Sequence, residues 1–135
     1  MNRIAFLTMN NMEGFFAYDH LAIEPMARRG WQVEEISWRK SVDWNNYPMV
    51  VIRSPWDYQQ DWETFLGVLT QIDQSAACLQ NSLQIVRWNI HKSYLRDLEQ
   101  RGVPIVPTLW LDQLTDDRLE RTFHTLDASN IVVKP

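Results

Sequence analysis

Cysteine is nearly absent: Cys78 is the single thiol in the chain. An internal disulfide is therefore excluded, which suits a reducing compartment and predicts a cytoplasmic protein. Cys78 stands in "SAACLQ" among small and apolar residues, a setting that predicts a packed, inert thiol. Glycine is scarce too, with only Gly14, Gly30, Gly67 and Gly102. That spacing excludes G-x-G-x-x-G and the P-loop, both of which need clustered glycines so that backbone can approach a phosphate. His20, His91 and His124 are too scattered for metal-ligand spacing. No G-x-S-x-G supports a serine nucleophile. The end of the first predicted strand holds Thr8, Asn10 and Asn11, where a receiver domain would need acids. No apolar run approaches the roughly 18 residues of a membrane span, and Ile4 to Leu7 is too short for a signal-peptide core. A membrane is not an expected partner. Basic tracts are missing as well. Arg28-Arg29 and Arg39-Lys40 are only pairs, and the formal charge is −4, so nucleic acid is not expected either.

Tryptophan, by contrast, is abundant. Seven in 135 residues predict that most are partly buried, each indole N–H seeking an acceptor. The chain is 45% apolar and 22% charged, ordinary for a globular protein with a real core.

Hydrophobic periodicity alternates between strand and helix. Residues 3–9 predict a first strand and 16–29 a helix containing Pro25. Residues 31–38 alternate as a half-exposed strand does, and "PMVVIRS" (48–54) is a continuous apolar run, the mark of a strand covered on both faces. Trp62, Phe65, Leu66, Leu69 and Ile72 fall on helical spacing. A short strand is expected at 83–86. A helix should follow, opened by Asn89 as N-cap and ended by Gly102. Residues 103–111 should be extended because of their prolines. A helix over 117–126 and a closing strand at 131–133 complete the pattern. The order predicts an α/β fold with a three-layer, doubly wound, mainly parallel sheet of Rossmann-like kind. A boundary near 107 divides the chain into 1–106 and 107–135.

Three stretches carry chemistry. In "VVIRSPWDY", Arg53 stands at the carboxyl end of a buried strand, the edge where doubly wound sheets bind ligands. It could fork onto a carboxylate or phosphate. Asp57 could orient it or accept from a substrate amine, with Trp56 and Tyr58 excluding water. Equally, Arg53 and Asp57 could form a structural pair, with Trp56 and Tyr58 packing on a helix. Lys92 falls in the expected first turn of a helix, where a cation opposes the macrodipole unless it serves an anion; otherwise it is an exposed lysine. Lys134, alternating with Val133, is a solvated edge lysine or one aimed into a cleft.

In order and spacing, "VVIRSPWDY", "RWNIHKSYLRDLEQRGVPIVPT" and "IVVKP" resemble the front end of an ATP-grasp ligase. The likeness is to the glutathione synthetase-like and cycloserine cyclo-ligase-like branch and covers roughly residues 48–135. It implies a pre-ATP-grasp domain followed by the start of an ATP-grasp subdomain ending at the V-K-P strand. Lys92 and Lys134 would then contact ATP phosphates. Arg53, Trp56, Asp57 and Tyr58 would line the site of a small amino-acid-like substrate. The complete protein would activate a carboxylate as an acyl phosphate and join it to an amine, releasing ADP. Its magnesium ligands would lie beyond residue 135, so this chain alone should not catalyse the reaction. Two departures stand out: His91 precedes Lys92 where relatives often carry an acid, and Arg53-Ser54-Pro55 has one proline where glutathione synthetase has a pair. The other reading of the residues is a non-enzymatic doubly wound binding module with an aromatic cleft, or a homodimer built on the 131–133 edge.

Overall fold

The computed structural model describes residues 2–134, and the chain divides into two compact units, Met1–His91 and Lys92–Pro135. The break expected near 107 falls inside the second unit.

In the first unit, four strands form an all-parallel sheet: β1 (Asn2–Thr8), β2 (Trp31–Ser37), β3 (Met49–Ser54) and β4 (Cys78–Gln80), in the order β2-β1-β3-β4. β1 lies between two neighbours, and its residues Ile4 to Leu7 are all buried. This is the physical meaning of the apolar run "IAFL": a strand with a partner on each side and cover on both faces has no polar face. Helix α1 (His20–Ala27) connects β1 to β2, and α2 (Trp62–Asp73) connects β3 to β4. The two crossovers run in opposite directions from the centre. Right-handed connections then set the helices on opposite faces, which confirms the doubly wound expectation.

The β2–β3 connection has no α-helix. Trp44 and Tyr47, from the short 3-10 turn Trp44–Asn46 and its end, bury there instead. They join Ala5, Leu7, Trp38 and Val50 of the sheet side and Phe65, Leu69 and Ile72 of α2 in one core cluster. The helical spacing read in α2 is therefore the core stripe, except that Trp62 at its start is exposed.

Three expectations are corrected here. Residues 83–86 are not a strand. They open α3 (Leu83–Asn89), whose Leu83 and Val86 pack on the core, and the edge strand lies earlier, at β4. Asn89 consequently ends a helix and caps none. Cys78 is exposed, because the alternation of β4 turns only Leu79 inward.

The second unit contains α4 (Tyr94–Gln100) and α5 (Asp116–Leu126). Gly102, with φ +78°, ends α4 as the sequence predicts, and its N–H donates to the Glu99 carbonyl at 2.9 Å. Residues 103–111 are irregular, with Trp110 under the Arg96 guanidinium (4.5 Å to the ring centroid). Thr115 caps α5 by accepting from the Arg118 N–H, and Asp116 and Asp117 favour the positive end of the helix dipole. The expected closing strand at 131–133 is irregular: no described strand pairs with it, and β-branched composition without a ladder partner does not make a strand. Pro135 lies outside the described residues. No helix among the described residues is long and apolar enough to cross a membrane.

Candidate functional site at the carboxyl edge of the sheet

The sheet order reverses between β1 and β3. Chain leaving β1 turns towards β2 and chain leaving β3 turns towards β4, which makes this edge the switch point where doubly wound sheets generally bind ligands. Main-chain bonds tie the three strand ends together there. Met9 N–H donates to Ser54 O, and Trp38 N–H to Thr8 O, each at 3.0 Å.

Arg53 and Ser54 end β3 at this edge. The Arg53 Nε donates to Asp19 Oδ1 at 2.7 Å and its Nη2 lies 2.6 Å from the same oxygen. Ser54 Oγ donates to Asp19 Oδ2 at 3.0 Å. Asp19, just before α1, is only 3% exposed, whereas the Arg53 side chain is 42% exposed. A buried carboxylate with both oxygens engaged thus holds an exposed guanidinium, whose carbon also lies 5.5 Å from the Phe6 ring centroid. The Arg53–Asp57 pair that the sequence allowed does not form; Arg53 takes Asp19 instead.

Asp57 is engaged elsewhere. Its Oδ1 accepts from the Trp38 indole N–H at 2.6 Å, and its Oδ2 from Arg39 Nε at 3.2 Å. Arg39 Nη1 continues to Asp61 Oδ2 at 3.2 Å. Hydrogen bonding, led by that from Thr64, lowers the Asp61 carboxyl below its ordinary range. Tyr58 turns inward against Phe65, with ring centroids 5.3 Å apart, and packs on the core cluster. Trp56 points the other way. It is exposed and meets Phe15 of the β1–α1 loop at 5.9 Å between centroids, linking the loops after β1 and β3.

Of the four residues read from "RSPWDY", Arg53 and Trp56 therefore present accessible surface at this edge. Asp57 and Tyr58 fix the loop that carries them. Asp19, Phe15 and Arg39 were not read from the sequence. Asp19 is separated from Arg53 by 34 positions, and only the closing of β1 against β3 brings them together. In the second unit, the Lys92 carbonyl accepts from the Leu95 N–H at 3.0 Å, just ahead of α4, rather than inside the helix. Lys134 is exposed in irregular chain. No hydrogen bond or ion pair among the described residues joins the two lysines.

An all-parallel α/β sheet with a switch point between β1 and β3, and an arginine at the carboxyl end of β3, defines a Rossmann-like domain. Residues 4–81 match the family described as the D-cycloserine synthetase DcsG N-terminal domain, and the chain belongs to that family. The cycloserine biosynthesis protein DcsG of Streptomyces lavendulae is 34% identical over 80 residues, 58% of this chain and 26% of that protein. The crystal structure of D-cycloserine synthetase DcsG matches with a TM-score of 0.66 at 29% identity, covering 80% of this chain and 36% of that one. The chain thus spans about a quarter to a third of the length of the relatives it matches. The relationship is to the N-terminal domain of a biosynthetic synthetase.

Proposed function

We infer that this chain is the substrate-side N-terminal portion of an ATP-dependent carboxylate–amine ligase of the ATP-grasp type, inactive alone. The observation that carries the reading is the exposed Arg53 guanidinium, fixed by Asp19 at the switch point of a domain whose family is that of a synthetase N-terminus. Arg53 would hold the anionic end of a small amino-acid-like substrate, and Trp56 would exclude water beside it. Asp57 and Tyr58 would keep the 55–61 loop in register with the strand ends.

When bound, ATP supplies the phosphoryl group that activates a carboxylate, with ADP released. Lys92 and Lys134 suit phosphate oxygens, being cations on flexible stems that can follow a moving charge. Magnesium fits less well: no group of three or more His, Cys, Asp or Glu side chains gathers among the described residues.

Isothermal titration of magnesium-ATP tests the reading. One sample is this chain; the other is a chimera in which it replaces the equivalent N-terminal region of the Streptomyces lavendulae relative. The chimera should bind magnesium-ATP at least tenfold more tightly and release ADP with an amino-acid-like substrate. Comparable affinity in both samples would overturn the proposal.

A further inference from the structure

The Arg53–Asp19 pair leaves a second donor edge. A guanidinium has two edges that can each fork onto a carboxylate: the side-on edge of Nε and Nη2, and the end-on edge of Nη1 and Nη2. Asp19 occupies the first, through Nε at 2.7 Å and Nη2 at 2.6 Å. No hydrogen bond among the described residues uses Nη1. Asp19 cannot swing away, because it is buried and its other oxygen accepts from Ser54. Trp56 follows Arg53 by three residues and Phe15 precedes Asp19 by four; they are 42% and 56% exposed and their rings meet across the two loops, 5.9 Å between centroids. Singly exposed aromatics need no explanation. An exposed pair that joins the loops after β1 and β3, on the segments that carry Asp19 and Arg53, is the kind of apolar surface a ligand's body can lie on.

We propose that Asp19 is a positioning residue that presents the end-on edge of Arg53 to a small carboxylate with a flat or apolar body, which lies against Phe15 and Trp56. The proposal rests on the substrate-side reading above and gives it a ligand class. A carboxylate is favoured over a phosphate on two grounds. Asp19 offsets much of the single positive charge, and a planar two-oxygen acceptor matches one free edge. The loops also lack the glycine-rich run of backbone N–H groups that cradles phosphates, Gly14 being the only glycine near.

Four probes test this on the chain as it stands, by ligand-detected NMR and tryptophan fluorescence, without ATP: benzoate, its neutral isostere benzamide, acetate and inorganic phosphate. Benzoate should bind about tenfold or more tightly than benzamide, the worth of a charge-assisted fork. It should also exceed acetate and phosphate. Arg53→Gln should abolish the preference for benzoate over benzamide, and Phe15→Ala should bring benzoate down to acetate. Asp19→Asn separates positioning from simple charge. If Arg53 acted as a point charge, removing the neighbouring negative charge would strengthen benzoate binding. A positioning role weakens it, with thermal melting recorded to confirm that the variant folds. Should Asp19→Asn be unfolded, Ser54→Ala, which frees one Asp19 oxygen, must lower the benzoate preference in its place. Equal binding of benzoate and benzamide, preferred phosphate, or tighter benzoate binding in Asp19→Asn would each overturn the proposal. Because no nucleotide is present, these outcomes are independent of whether the ATP-grasp reading stands.

Discussion

The Arg39 guanidinium lies over the indole of Trp38, 3.9 Å from the ring centroid, and the two side chains close on the same acceptor, Asp57. Trp38 is wholly buried and Asp57 takes its N–H. Asp57→Ala should therefore cost about 1–3 kcal/mol, the penalty of leaving a buried donor without a partner. Trp38→Phe removes that donor. In urea unfolding, the double variant should lose less than the sum of the two single losses; strict additivity would show that the bond contributes nothing.

Glu34 should give the protein an acid limb. The hydrogen bond from Arg3, then that from Tyr47, hold its carboxyl at about 2 against an ordinary 4.5. A carboxyl depressed in the folded state stabilises in full above its unfolded value and loses that contribution as pH falls towards the folded one. The urea midpoint should decline between about pH 4.5 and 2. Glu34→Gln should flatten that part of the curve; an unchanged slope would rule the contribution out.

Leu69 is fully buried under the sheet, in contact with the cluster that includes Phe65 and Ile72. Leu69→Ala should destabilise by about 2–5 kcal/mol in chemical denaturation. The exposed Trp62, on the same helix, should tolerate Ala far better. Similar losses at both positions would contradict the orientation of α2.

The exposed Cys78 thiol should react with Ellman's reagent in the native protein, one equivalent at a rate close to that in urea. Cys78→Ser should change stability by no more than about 0.5 kcal/mol. A thiol that reacts only after unfolding would reverse the assignment of the outward face of β4.

The proposed nucleotide role of the two lysines predicts that Lys92→Met and Lys134→Met, made in the chimera, each weaken magnesium-ATP about tenfold or more by titration. Unaltered affinity in both would remove them from the site.

Regular apolar spacing carried most of the first unit into view from sequence. "IAFL" and "MVVI" gave buried parallel strands because a two-sided strand has nowhere for a polar residue, and Phe65, Leu69 and Ile72 gave a core-facing helix. Short elements were less legible. "LQIV" has strand composition, yet Leu83 and Val86, three apart, serve as a one-turn helical stripe once the short edge strand has already been supplied by Cys78–Gln80. Residues 131–133 show the converse, since composition cannot say whether a partner strand exists. At the candidate site, the placement of Arg53 at the end of β3 and of Trp56 just beyond it was readable because they follow an apolar run directly. Asp19 was not: nothing local marks a lone aspartate in "FFAYDH", and its role comes from a pairing that only the folded sheet creates.

β1 lies between two neighbours that both follow it in the chain, residues 31–37 and 49–54. During synthesis, then, an apolar ribbon emerges ahead of both partners, and its second edge stays unmatched until Ser54 has left the ribosome. At the usual pace of elongation, about 5–20 residues per second, that interval lasts seconds. The central strand, made before both of its neighbours, is the one most in need of shelter from other nascent chains, and the carboxyl edge that carries Arg53 takes shape only when the wait is over.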